Sequence, residues 1–161
     1  MKRILIVMLA LCATLPSFGW GQKGHDVVAY IAECNLQPKV YQKVVDRLGG
    51  HSLVYYANWL DNASHTDRYR YTKTWHYANV DKGHTYQTMT KHENGDVVAA
   101  LVQLTNELSY NYENLTDSML CDYVKMTVHM VGDMHCPMHA GRFSDLGGNR
   151  TSVRWFGKNT N

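Results

Sequence analysis

Apolar residues recur along most of this chain at helical spacing. In "GHDVVAYIAECNL" the positions Val27 and Ile31, with Val28 and Cys34 beside them, define one side of a helix over about 25–35. "PKVYQKVVDRLGG" puts Val40, Val44, Val45 and Leu48 on one face and stops at Gly49-Gly50, residues that terminate helices. "GDVVAALVQLTNEL" repeats apolar residues from Val97 to Leu108. "TDSMLCDYVKMTVHMVGDMHC" is the longest such run, with Thr116 placed to cap it and Pro137 to end it. "NWLDNASHTDRYRYTKTWHYAN" is polar and aromatic, which predicts a short helix followed by irregular chain. "GRFSDLGGNRTSVRWFG" reads as loop with an extended pair around Gly147-Gly148. The pattern predicts an all-α protein, several amphipathic helices around one core.

The first residues break the pattern. Lys2 and Arg3 precede the apolar run Ile4 to Leu11, and the small residues Ser17 and Gly19 stand three and one before Trp20. This is the layout of a secretory signal peptide, 1–19, removed to leave a domain over 20–161. The run is too short to span a bilayer, and no other stretch is long and apolar enough to anchor the chain in one. Lipidation at Cys12 competes, but Leu11 stands where a small residue is wanted. The expected location is periplasmic or extracellular.

Processing changes the charge balance. The chain has 16 basic and 14 acidic residues, and the signal takes two basic residues and no acid. The mature part is therefore formally neutral, which excludes binding of nucleic acid through an overall basic charge. All nine His lie in the mature part, and imidazole is the commonest metal ligand. Cys34, Cys121 and Cys136 remain, with no Cys-x-x-Cys, so a thiolate zinc site is disfavoured. They read mainly as small buried residues, with room for one disulfide.

The candidate chemistry sits in short motifs. His129 and Asp133 are four apart and share a helix face, and His139 follows the Pro137 turn. One such pair alone suits a surface or capping role; His139 moves the reading towards a metal. His135, six residues after His129, points elsewhere. Trp59 and Trp75 stand beside the candidate ligands Asp61 and His76, where their rings are either plain core or a dry wall around a site. His25 follows Trp20 by five residues. A Trp20 freed by cleavage offers its amine and its own carbonyl to one ion.

Taken together, W-x₄-H, W-x-D, W-H-Y, H-x₃-D-x₅-H and D-x-G-G-N run in the order found in the zinc-dependent S1/P1 nucleases, a family that shares its fold with bacterial zinc phospholipases C. The chain resembles that family from Trp20 to Asn161. The resemblance implies an all-α, secreted enzyme with three zinc ions, cleaving single-stranded DNA and RNA to 5′-nucleotides and removing 3′-phosphates. It assigns Trp20 and His25 to one zinc, and Asp61, His76 and His129 to a second. Asp133 bridges these two, and His139 begins the third site. Tyr77 matches the base-stacking aromatic, Asn79 lies near the base-binding position, and Gly147, Gly148 and Asn149 match the glycine loop at the nucleotide pocket. Asp81 and Lys82 match polar residues beside the attacked phosphate. The implied partners are single-stranded nucleic acid and nucleotides, with no obligate protein partner.

The sequence departs from the family after "RWFGKNTN", where an N-L-H-x-x-W-D segment supplies two further ligands for the third zinc. The expectation is a C-terminally truncated domain, hence a fragment, or else a natural short form with an incomplete site. Two alternatives accompany the nuclease reading: a phospholipase C-like enzyme, and a non-catalytic zinc-binding remnant. The Tyr77 platform and the D-x-G-G-N loop favour the nuclease.

Overall fold

The computed structural model describes residues 21–160. The predicted signal peptide, Cys12 and Trp20 lie outside the described residues. Among the described residues, six α-helices follow in order: α1 (Gly21–Asn35), α2 (Pro38–Arg47), α3 (Leu53–Tyr56), α4 (Trp59–Ala63), α5 (Val97–Tyr110) and α6 (Asp117–Met134). Three 3₁₀ segments, Asp67–Thr74, Tyr112–Asn114 and Pro137–Ala140, join them. The only strands among the described residues, β1 (Val153–Trp155) and β2 (Lys158–Thr160), pair as an antiparallel hairpin. The fold is all-α. No described helix is long and apolar enough to cross a membrane.

The helix ends follow local chemistry. The hydroxyl of Thr116 accepts from the Met119 N–H at the start of α6, and the Asp96 carboxylate accepts from the Val98 and Ala99 N–H groups at the start of α5. Helix α2 stops where Gly49 and Gly50 take left-handed backbone, with the Gly50 N–H donating back to the Val45 carbonyl at 2.9 Å. Helix α3 is capped twice, by Ser52 and by Glu33 of α1, whose carboxylate accepts from the Leu53 and Val54 N–H groups.

Helix α6 is central and packs against α1, α2, α3, α4 and α5. One side of it, with Met126 and Met130, meets Leu60, Trp75, Val97, Ala100 and Leu104. A second cluster gathers Ala29, Leu48, Leu53 and Ala57, with Val124 and Val128 of α6 against it. Each fully buried Leu or Met contributes about 1.5–3 kcal/mol of burial.

Three sequence expectations need correction. Val27 and Ile31 do not face the core: each is 56% exposed, while His25 and Ala29 are buried. Residues two apart on a helix lie about 200° apart, so seating His25 inward turns Val27 out. The extended pair lies not around Gly147-Gly148 but at 153–160, turning at Phe156 and Gly157, which both have positive φ. Of the three described cysteines only Cys136 is buried; Cys34 is exposed, Cys121 is half-buried, and all three are free.

Candidate metal centre

The site is assembled on α6, which contributes His129 and Asp133 from adjacent turns, both almost completely buried. Asp133 is the hub. Its Oδ2 lies 3.2 Å from His129 Nε2 and 3.1 Å from His76 Nδ1, and its Oδ1 lies 2.9 Å from His139 Nδ1 and 3.4 Å from His25 Nε2. Asp61, on α4, approaches from the solvent side, its Oδ1 being 3.5 Å from His129 Nε2 and 3.8 Å from His76 Nδ1.

Backbone contacts set these positions. The Ala57 carbonyl accepts from His129 Nδ1 at 2.8 Å, which places the proton there and leaves Nε2 as the free base facing the cluster. His76 and His139 come together because their segments pair through the backbone. Ala78 N–H donates to the His139 carbonyl and Val80 N–H to the Gly141 carbonyl, both at 2.8 Å. His25 stacks on His129 with ring centroids 4.3 Å apart. Gly132 makes that approach feasible, since a Cβ there would stand 2.3 Å from His25 Nδ1.

The electrostatics centre on Asp133. Burial alone would raise its carboxyl, but His129, His139, His25 and His76 outweigh burial and hold it far below the usual carboxylate range. The Asp133 carboxylate in turn raises His139, against the opposing effect of burial.

Two sets of side chains converge closely enough to share an ion: His25 with His129 and Asp133, and Asp61 with His76 and His129. Four ligands at the usual zinc–nitrogen length stand about 3.3 Å apart on a tetrahedron. Here His129 Nε2 is 3.0 Å from His76 Nδ1, and the carboxylate contacts span 2.9–3.8 Å. His25 Nδ1, His76 Nε2, Asp133 Oδ1 and His139 Nδ1 are buried without an aligned hydrogen-bond partner. Nitrogen and oxygen donors in this density, under-satisfied by protein, fit a divalent ion. His139 joins neither set; it stands at the bridging carboxylate. Trp20 lies outside the described residues.

Beside the cluster opens a cavity of about 600 Å³. Tyr77, Asn79, Gly147, Gly148 and Asn149 line it together with His139. The loop closes tightly over Met138: a Cβ on Gly147, itself at φ +64°, would stand 2.7 Å from the Met138 carbonyl oxygen. The Asn79 Oδ1 is buried there without a hydrogen-bond partner. Asp81 stands apart in a smaller recess shared with Asn79, His84 and Phe143. Its Oδ1 accepts from the Ser144 N–H at 3.0 Å and hydroxyl at 2.7 Å, and these bonds lower its carboxyl. Lys82 is exposed. His135 is exposed too, its Nδ1 donating to the Val131 carbonyl of its own helix. Trp75 is core, its indole N–H donating to the Asn94 carbonyl, and Trp59 packs edge-on against Tyr69.

Sequence reasoning missed Gly132, Ser144 and the apolar cavity residues Met138 and Leu146. Gly132 had a signal, a lone glycine inside a helical pattern. Ser144 had none, because its partner is 63 residues away.

A family model described as S1/P1 Nuclease matches residues 20–161. The chain is similar to endonuclease 5 of Arabidopsis thaliana, 28% identical over 156 residues, or 88% of this chain and 53% of the relative. It is similar to nuclease S1 of Aspergillus oryzae, 28% identical over 167 residues, or 100% and 58%. Nuclease P1 of Penicillium citrinum is 25% identical over 150 residues, or 88% and 54%. The chain thus spans about half the length of the curated relatives it matches.

Proposed function

The chain belongs to the S1/P1 nuclease family, and we propose on that premise that it is an exported zinc-dependent phosphodiesterase. Its substrates are single-stranded DNA and RNA, cleaved to 5′-nucleotides, and nucleotides whose 3′-phosphate it removes. The observation that carries this reading is the buried Asp133 carboxylate ringed by four imidazoles beside a cavity of nucleotide size.

Asp61, His76 and His129 would hold one zinc, His25 and the freed Trp20 another, with Asp133 shared between them. His139 would begin a third site. Zinc supplies a Lewis acid there, neutralising phosphate charge and acidifying water. The protein's own residues do the rest. The four imidazoles favour the ionised form of Asp133, the form that binds a metal ion. The Ala57 carbonyl fixes the His129 tautomer. Tyr77, 39% exposed, offers a ring face for one splayed base, and the orphaned Asn79 oxygen offers that base an acceptor. A base in duplex must first unstack, at a cost of about a few kcal/mol, which gives the preference for single strands. Asp81 and Lys82, which the resemblance sets beside the attacked phosphate, lie outside the lining of this cavity, Asp81 in the neighbouring recess.

The deciding experiment is zinc per chain by elemental analysis on exported, processed protein, paired with hydrolysis of a single-stranded oligonucleotide, a nucleoside 3′-phosphate and a phosphatidylcholine. We expect at least two zinc ions and cleavage of the first two substrates. Zinc without hydrolysis would make the chain a non-catalytic binder, and turnover of the lipid alone would make it a phospholipase C.

A further inference from the structure

The loop that lines the cavity is held from outside it. Residues 139–144 run alongside 78–81, joined by the Ala78 N–H donating to the His139 carbonyl and the Val80 N–H to the Gly141 carbonyl. Asp81 extends this pairing with its side chain. Its Oδ1 accepts from both the Ser144 N–H at 3.0 Å and the Ser144 hydroxyl at 2.7 Å. Beyond Ser144 the loop bonds to itself. The Gly147 N–H donates to the Arg142 carbonyl and the Gly148 N–H to the Asp145 carboxylate, both at 2.9 Å. Leu146 sits at φ +54°, a conformation that an L side chain adopts at a cost and keeps only where its surroundings hold it. Phe143, Leu146, Gly147 and Gly148 of this loop form part of the cavity wall.

We propose that Asp81 is a positioning residue: through Ser144 it latches the 143–149 loop in the shape that lines the cavity, and so sets how tightly the cavity holds a nucleotide. This rests on the nucleotide reading of that cavity. A direct role at the phosphate fits the surroundings of Asp81 less well. Asp81 does not line the cavity, and the recess that it does line measures about 60 Å³, against about 600 Å³ for the cavity. That is too small for a nucleotide. The bonds from the Ser144 amide and then its hydroxyl lower the Asp81 carboxyl, so at neutral pH it has no proton to give. An ionised carboxylate also repels any phosphate brought close to it. What Asp81 does hold is two aligned donors from one residue, at the root of a strained loop. Phe143 precedes Ser144 and lines both the cavity and the recess. A shift of Ser144 therefore carries the Phe143 ring with it and reshapes the cavity wall.

The test uses the zinc-loaded, processed chain and compares the unaltered protein with Asp81→Ala, Asp81→Asn, Ser144→Ala and the double alanine variant. The readouts are affinity for a nucleoside 5′-monophosphate, kcat and KM on a single-stranded oligonucleotide, and hydrogen exchange of the 141–149 segment. We expect Asp81→Ala to weaken monophosphate binding and to raise KM by about 3- to 10-fold, with a smaller change in kcat. Exchange in the loop should quicken. Asp81→Asn keeps an acceptor oxygen in place and should recover most of the loss, which a charge-dependent role at the phosphate would not allow. Ser144→Ala keeps its N–H and should show a smaller loss of the same kind. The double variant should be no weaker than Asp81→Ala, because the two changes break one contact. Equal zinc per chain in all variants reports an intact cluster. Four results would each overturn the proposal while leaving the cavity reading intact. They are Asp81→Asn as damaging as Asp81→Ala, a loss confined to kcat, additive losses in the double variant, and an Asp81→Ala protein with unaltered affinity and exchange. Failure of the unaltered protein to bind the monophosphate would overturn both readings.

Discussion

Asp133 shows how one residue sets the chemistry of its surroundings. It is buried, and burial would normally neutralise a carboxyl, but four imidazole nitrogens within 2.9–3.4 Å keep it charged. A pH prediction follows for the metal-free protein. His139 is raised above its ordinary value of 6.5 by that carboxylate. Its contribution is complete below the unfolded value and is lost as pH rises through the higher folded value. Zinc works oppositely, because imidazole must be deprotonated to bind it. As pH rises past the ordinary histidine value, the metal-free Tm should fall while the stabilisation from added zinc grows. Thermal scans with chelator and with zinc measure both slopes, and His139→Gln should flatten the first. Gly132 gives a second prediction. Alanine there would ordinarily gain about 1 kcal/mol of helix propensity. Here its Cβ would press on His25 at 2.3 Å, so Gly132→Ala should instead cost about 1–3 kcal/mol and lower zinc per chain. A more stable variant with full zinc content would contradict the close packing of His25.

At the scale of elements, the two long helices begin with caps of different weight. Thr116 caps α6 with one hydroxyl at an exposed position, and Thr116→Ala should cost about 1 kcal/mol. Asp96 caps α5 from a buried position and also accepts from the Tyr86 hydroxyl at 2.9 Å, tying the 81–96 loop to the helix. Removing it strands two N–H groups and a phenol, so Asp96→Ala should cost about 2–4 kcal/mol. Urea midpoints at constant m-value would rank them, and equal costs would mean that the Tyr86 tie carries nothing. Helix α1 shows where periodicity misleads. Its apolar stripe of Val27 and Ile31 predicted the buried face, but the stacking of His25 on His129 fixed the rotation of the helix. The buried face carries His25 and Ala29 instead of the two larger apolar residues.

At the scale of the whole molecule, the His/Asp cluster brings together side chains from segments far apart in the chain. Its side chains come from α1, α4, the 76–81 segment, α6 and the turn after Pro137. Ions bound there would cross-link all five. At a hundredfold excess over its Kd, each zinc should add about 2.7 kcal/mol. Chelation should lower Tm accordingly and abolish hydrolysis, and re-addition of zinc should restore both. A chelated protein that keeps its Tm would place the ions elsewhere.

The sequence by itself determined the all-α class, the spans of α2, α5 and α6, the Thr116 cap and the Gly49-Gly50 stop. These depend on chemistry between near neighbours, whereas the Asp96 cap of α5 emerged only in the structure. The sequence also marked Asp61, His76, His129, Asp133 and His139, by motif order rather than by contact. What only the tertiary structure decided are relations across long stretches of chain. These include the convergence of four imidazoles on one carboxylate, the seating of His25 against Gly132, the engagement of Asp81 by Ser144, and the position of the hairpin. Each depends on which faces meet after packing, and a one-dimensional pattern carries no record of that.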